Sequence, residues 1–170
     1  MKTSVKKSSK ANLGKAWEEK IIKKCLEYRK LNQGLIIKIP TEFTILRRGA
    51  KIVSAFPREK AFLDFVGVLK NGQTIFIEAK STANKTSFPL SMIKEHQFNL
   101  CNEIRRYTDI CYYLIYFKEL KKTYLVHSED VEMFRQSETR KSLPIKWLDE
   151  HGVTLDDNLD FLKYIYKRET

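Results

Sequence analysis

Asp64 lies in the apolar run 62–69 (FLDFVGVL), and Glu78 and Lys80 end the apolar run 73–80 (QTIFIEAK). Charged groups inside such strands are costly unless something pairs them. Asn71-Gly72 between the runs is a strong hairpin signal, and the loop length decides what the charges can do. A two-residue turn would pair 70 with 73 and put the two carboxyls on opposite faces. A three-residue loop, Lys70-Asn71-Gly72 with Gly72 left-handed, would pair 69 with 73. Asp64 then lies directly across from Glu78, with Lys80 two residues on and on the same face.

Two carboxylates directly opposite repel each other, and a divalent cation between them removes that repulsion. Oxygen donors suit Mg²⁺ or Mn²⁺, which keep several waters and take a substrate phosphate as a further ligand. A neighbouring lysine then stabilises charge on a phosphate or helps to deprotonate an attacking water. The same residue types also fit an ordinary salt bridge between Asp64 and Lys80 at the sheet's edge, and residue types alone do not separate the two. Gln97 falls on the apolar stripe of the next predicted helix, so its amide needs a partner. It fits a metal-site residue or a satisfied core glutamine. His96 beside it reads as structural or as part of the rim.

The elements that must position these residues follow from periodicity. Trp17, Ile21, Cys25, Tyr28 and Leu31 form one stripe and predict a helix over 12–31, with Asn12 as N-cap and Gly34 as stop. Its other face carries Lys15, Lys20, Lys23, Lys24 and Lys30. Residues 35–40 read as a strand that the following TEFTILRR extends. Residues 47–60, interrupted by Gly49 and Pro57, read as a projecting loop or hairpin. Ile93, Gln97, Leu100, Ile104 and Tyr107 predict a helix within 88–107. The unbroken apolar run 110–117 (ICYYLIYF) predicts a central strand buried on both faces. TYLVH is a further strand, and 129–137 and 144–150 are short helices. An α/β or α+β sandwich with a mixed sheet is expected.

The 170 residues suit one domain with one sizeable core. No run approaches about 18 apolar residues, which excludes a membrane-spanning helix. The charged start lacks the apolar stretch of a secretory signal. Cys25, Cys101 and Cys111 form no C-x-x-C pair, so neither a disulfide framework nor a zinc site is indicated, and a reducing cytoplasm fits. The net charge of +11 is unevenly placed. Residues 1–60 hold 16 basic and 5 acidic residues, whereas 61–170 hold 16 of each sign. Such a local excess points to a polyanion, nucleic acid before a membrane surface. The Lys/Ser-rich residues 1–11 read as a disordered basic tail.

Asp64, Glu78 and Lys80 match the D-x13-E-x-K pattern of the PD-(D/E)xK nucleases. GKAWEE, IPTEF, DFVGVLKNGQTIFIEAKST, KTSFPLSMIKEHQ and RKSLP, in that order over residues 12–150, closely resemble the RecU family of Holliday-junction resolvases. The resemblance implies a restriction-endonuclease-like α/β fold, residues 12–170 forming one nuclease domain, with a projecting basic stalk at about 42–60. It implies catalytic roles for Asp64, Glu78, Lys80 and Glu18, and a metal site of Asp64, Glu78 and Gln97 holding Mg²⁺ or Mn²⁺, to which the Ala79 carbonyl could add. Where the family usually has a metal-site threonine, this chain has Phe62. The stalk segment is also shorter than in the bacterial enzymes, which bears on junction selectivity.

The implied activity is nicking of four-way junctions in recombination and repair, by a homodimer that matches the junction's two-fold symmetry. The 110–117 stripe or neighbouring helices would supply the dimer interface. A recombinase partner, no membrane partner, and a cytoplasmic, nucleoid-associated location are also implied. Arg47, Arg48, Lys51, Arg58 and Lys60 of the stalk, with Lys15, Arg140 and Lys141, are the candidate phosphate contacts. A nuclease for another branched or duplex DNA, and a non-catalytic recombination accessory protein, are the alternative functions.

Overall fold

The structure is a computed structural model that describes residues 10–40, 43–57, 62–137 and 139–168. Its centre is a six-stranded sheet in the order β1 (Gly34–Lys38), β4 (Phe65–Leu69), β5 (Thr74–Thr82), β7 (Cys111–Phe117), β8 (Lys122–His127), β10 (Val153–Leu155). All neighbours are antiparallel except β5 and β7, which are parallel, so the sheet is mixed. A parallel pair needs a long crossover, and here that crossover carries α2 (Glu95–Ile104).

The strand sequences explain why helices cover both faces. Along β7, Tyr112 and Leu114 join one core with Ile75 and Ile77, and Cys111, Tyr113, Ile115 and Phe117 join the other. The first core is closed by Trp17, Ile21, Cys25 and Tyr28 of α1 (Lys10–Lys30) and by Leu162 and Ile165 of α5 (Leu162–Arg168). The second is closed by α2, α3 (Ser128–Ser137) and α4 (Ile145–His151). Each large apolar side chain withdrawn in this way contributes about 1.5–3 kcal/mol. Because both faces of β7 are consumed inside the molecule, the 110–117 stripe cannot supply a dimer interface. The three cysteines are buried and free. No helix among the described residues is long and apolar enough to cross a membrane.

Helix α1 differs from expectation at both ends. It already includes Lys10 and Ala11, and the rest of the predicted tail, residues 1–9, lies outside the described residues. It stops before Gly34 because Asn32 takes the left-handed conformation (φ 52°). Asn32 N–H then bonds Arg29 O and Gln33 N–H bonds Tyr28 O, the paired closure of a Schellman end. Leu31 falls beyond the last turn and is 65% exposed. Helix α2 is shorter than its stripe. Ser87–Pro89 forms β6 and pairs with β9 (Ser142–Pro144), and Leu90–Met92 is a 3-10 turn. Pairing on β9 and the extended Ile93 (ψ 122°) keep that stretch out of the helix. At the far end Tyr107 lies past α2 and is 84% exposed.

The segment after β1 does not extend it. Residues Phe43–Arg48 (β2) and Lys51–Pro57 (β3) form their own two-stranded hairpin, separate from the main sheet. Arg48 pairs with Lys51 across a two-residue turn whose first residue is Gly49 (φ 64°), the place where a type II′ turn needs glycine. Every residue from 45 to 54 is exposed.

One glycine is required by packing rather than by a turn. A Cβ on Gly67 would stand 2.5 Å from Leu35 O and 2.6 Å from Ile36 Cα, so β1 could not keep its pairing with β4. Gly67→Ala is therefore expected to cost about 1–3 kcal/mol by overpacking. Urea unfolding would measure this, and an unchanged midpoint would refute the close-approach account.

Candidate active site

The β4–β5 hairpin has the three-residue loop. Leu69 N–H bonds Gln73 O, Gly72 N–H bonds Leu69 O, and Gly72 has φ 87°. Phe65 is registered with Ile77 and Val68 with Thr74, which sets Asp64 across from Glu78. Asp64 sits where β4 begins, and its carbonyl accepts Ile39 N–H at 2.8 Å. Phe76, Glu78 and Lys80 share the face that α2 covers, while Ala79 turns to the α1 side.

The four residues singled out on β4, β5 and α2 converge. Asp64 Oδ2 accepts the Ala79 N–H at 2.9 Å, and Asp64 N–H donates to Glu78 Oε2 at 3.3 Å. Lys80 Nζ is 2.6 Å from Glu78 Oε1. The Gln97 carboxamide closes the group: Nε2 donates to Glu78 Oε1 at 2.5 Å, and Oε1 accepts from Lys80 Nζ at 3.1 Å. That same oxygen takes the Lys94 N–H at 3.0 Å, which ties the side chain to the first turn of its own helix. Among the described residues Lys80 pairs with Glu78 and not with Asp64, so the ordinary cross-strand bridge between Asp64 and Lys80 does not form. Nor is the site at a sheet edge, since β4 and β5 are both internal strands.

Burial dominates the electrostatics. Glu78 is 1% exposed, and loss of hydration raises its carboxyl to about 7. The Lys80 ammonium opposes that rise, and the Asp64 charge adds to it. Burial raises the Asp64 carboxyl too, against the Ala79 N–H and Lys80. Glu18 of α1 pushes it further up, and Lys38 pulls it down. Glu18 is held by Lys38 at 2.8 Å and therefore reaches the cluster through its field rather than by a hydrogen bond. Lys38 carries no motif and ends a short strand, so sequence reasoning missed it.

The donor set suits a hard divalent cation. Two opposed carboxylates match what Mg²⁺ takes from protein. Among the described residues no group of three or more His, Cys, Asp or Glu comes together, so water and phosphate would complete the coordination. His96 is half-buried and joins none of the cluster's bonds. The exposed Phe62 ring lies 6.0 Å from that of Phe76, and its side chain offers no donor.

The candidate phosphate contacts are spread out. Arg47, Arg48 and Lys51 form the exposed tip of the β2–β3 hairpin, and Lys15 lies exposed near the start of α1. Arg140 and Lys141 are exposed before β9, where Lys141 O anchors Leu90 N–H at 3.0 Å. Arg58 and Lys60 lie outside the described residues.

Known proteins resemble the chain over most of its length. The family model described as "Recombination protein U" (RecU) matches residues 12–167. The Holliday junction resolvase RecU of Streptococcus gordonii is 33% identical, over 93% of this chain and 84% of its own. That of Streptococcus pneumoniae is 34% identical, over 85% and 76%, and that of Pediococcus pentosaceus 32%, over 84% and 75%. Among solved structures, Archaeoglobus fulgidus Hjc, a Holliday junction resolvase, matches with a TM-score of 0.47 and 15% identity, covering 82% of this chain and 94% of its own. By the family match and the extent of its curated relatives, the chain belongs to the RecU family.

Proposed function

We propose that the protein is a divalent-metal-dependent endodeoxyribonuclease that resolves four-way DNA junctions in recombination and repair. The observation that carries this reading is the convergence of Asp64, Glu78, Lys80 and Gln97 through one hairpin register and one helix start, in a chain of the RecU family. Asp64 and Glu78 would hold Mg²⁺, or Mn²⁺ in its place. When bound, the cation supplies charge for the scissile phosphate and acidity for an attacking water. Lys80, 14% exposed at its side chain, faces the same space and would stabilise charge on the phosphate oxygens. Gln97 belongs to the metal-site group and acts in it as a positioning residue. Its oxygen is taken up by Lys80 and Lys94, so it aims the lysine and steadies Glu78. Glu18 tunes Asp64 across the end of the sheet.

The β2–β3 hairpin is the stalk of this reading. Its exposed Arg47, Arg48 and Lys51, with Lys15, Arg140 and Lys141, would contact phosphates rather than bases. A homodimer would bring two such sites to the two equivalent strands of a junction. Residues 12–170 act as one nuclease unit beside the chromosome in the cytoplasm, with a recombinase as a further partner. The shortness of the stalk favours a second reading, a nuclease of the same chemistry for flaps or nicked duplex.

Cleavage of a four-way junction is expected to exceed that of flaps and of linear duplex in Mg²⁺. Preference for linear duplex in the same assay would defeat the resolvase reading. Asp64→Asn should lower the cleavage rate by about 10³-fold or more, some 4 kcal/mol of barrier, while gel-shift affinity for the junction stays within about twofold. A wild type that binds but never cleaves with Mg²⁺ or Mn²⁺ would leave only the accessory role.

The raised Glu78 carboxyl sets a sign for pH dependence. Without metal, the folded state keeps a proton up to about pH 7 that the unfolded chain has released at the ordinary carboxylate range. Metal-free stability should therefore fall as pH rises from about 4.5 to 7, by on the order of 2–3 kcal/mol. Urea unfolding in chelator at pH 5 and pH 8 would read this difference. Glu78→Gln should remove most of it, leaving the smaller part due to the raised Asp64, and Mg²⁺ at pH 8 should restore stability to the wild type only.

A further inference from the structure

On the α1 side of the sheet, the face opposite the Glu78 and Lys80 side chains, an open cleft of about 610 Å³ lies between α1 and the turn that joins β7 to β8. Lys20, Lys23 and Lys24 line it from α1, three and four residues apart and so on one side of the helix. Lys118 and Lys121 line it from the turn. Among the described residues only Lys24 of these five has an acidic partner, Glu27 at 3.0 Å. The Lys20 ammonium sits 5.4 Å above the Tyr116 ring, held by an aromatic face that leaves its charge unneutralised. Like charges gathered in this way repel one another unless a polyanion lies among them.

Among the described residues, the acidic groups of the lining are Glu27, which Lys24 already engages, and Asp156 and Asp157 on the far lip, where Asp156 is turned onto its own loop, accepting Asn158 N–H at 3.1 Å. The floor cannot read a base. Trp17 is 3% exposed, stacks on Tyr116 at 4.9 Å and donates its Nε1–H to Leu114 O. The two rings use their faces on each other, so the cleft offers charge without a stacking platform.

Its position links it to the cleavage chemistry. Tyr116 is registered with Ser81, the residue after Lys80, and Trp17 is the residue before Glu18. The cleft therefore opens at the same end of the sheet as the carboxylates, one strand across. Resting on the nuclease reading above, we propose that this cleft binds the phosphate backbone of a DNA arm leaving the cleavage site. The protein then grips its substrate at a second place, set by α1 and the β7–β8 turn rather than by the hairpin.

The test compares the wild type with the triple variant Lys20→Ala, Lys23→Ala, Lys118→Ala on junctions with long arms and with arms trimmed close to the crossover. All three side chains are exposed, so the fold should survive, which thermal unfolding checks. On long arms the variant should bind at least about tenfold more weakly at physiological salt. The slope of log affinity against log salt should shrink by about 2–3, at roughly 0.9 per lost phosphate contact. On trimmed arms the two proteins should bind alike. Equal affinity and slope on long arms would overturn the proposal, and so would the same loss on both arm lengths. Binding of inorganic phosphate that the variant lacks, with junction affinity unchanged, would assign the cleft to a small anion instead. The comparison reads binding only. A wild type that binds junctions without cleaving them would defeat the nuclease reading while leaving the arm-length comparison to decide the cleft.

Discussion

The site rests on the register of one hairpin. Gly72 takes a conformation open to glycine at little cost, the loop between Leu69 and Gln73 closes with three residues, and Asp64 arrives opposite Glu78. A shift of one residue in this pairing would send one of the two carboxyls to the other face of the sheet. Bond strength could not repair that, because β5 is committed on its other side. Its parallel pairing with β7 registers Glu78 with Tyr113 and Lys80 with Ile115, and β7 is buried on both faces.

A carboxylate that is 1% exposed is expensive, and the surrounding structure is arranged to offset that cost. Lys80 and Gln97 both reach Glu78 Oε1, and the Asp64 N–H reaches Oε2. Gln97 can do this because α2 begins late. The pairing of Phe88 with Leu143 on β9 and the 3-10 turn at Leu90–Met92 carry the chain past the sheet before the helix starts. Two short strands about fifty residues apart thereby decide where one carboxamide points. Arg135, which bonds Glu95 at 2.9 Å and lies 4.4 Å over the Phe98 ring, braces the same first turn from α3.

The uneven charge acquires a spatial meaning in this framework. The basic first sixty residues supply the hairpin tip and the lysine side of α1. The balanced remainder supplies the sheet, the acidic cluster and the two turn lysines that face α1 across the cleft. Lysines almost a hundred residues apart along the chain are thus gathered around one cleft.

Local signals determined a good part of this. Asn71-Gly72 between two β-rich runs announced the hairpin, though the loop length remained open between two registers. The stripe from Trp17 to Tyr28 announced α1, and the apolar run of β7 announced a strand with two covered faces, because period and composition act within a few residues of one another. Tertiary structure decided the rest. TEFTILRR has strand character that either an extension of β1 or a hairpin with β3 would satisfy, and only the pairing partner selects the hairpin. The late start of α2 depends on β9, and the burial that raises Glu78 depends on α2. Lys38 became relevant only because a strand end meets Glu18. The cleft was invisible for the same reason, since Lys20 and Lys118 lie almost a hundred residues apart and neither belongs to a motif. The candidate site was legible where its residues are neighbours along a hairpin, and illegible where folding alone makes them neighbours.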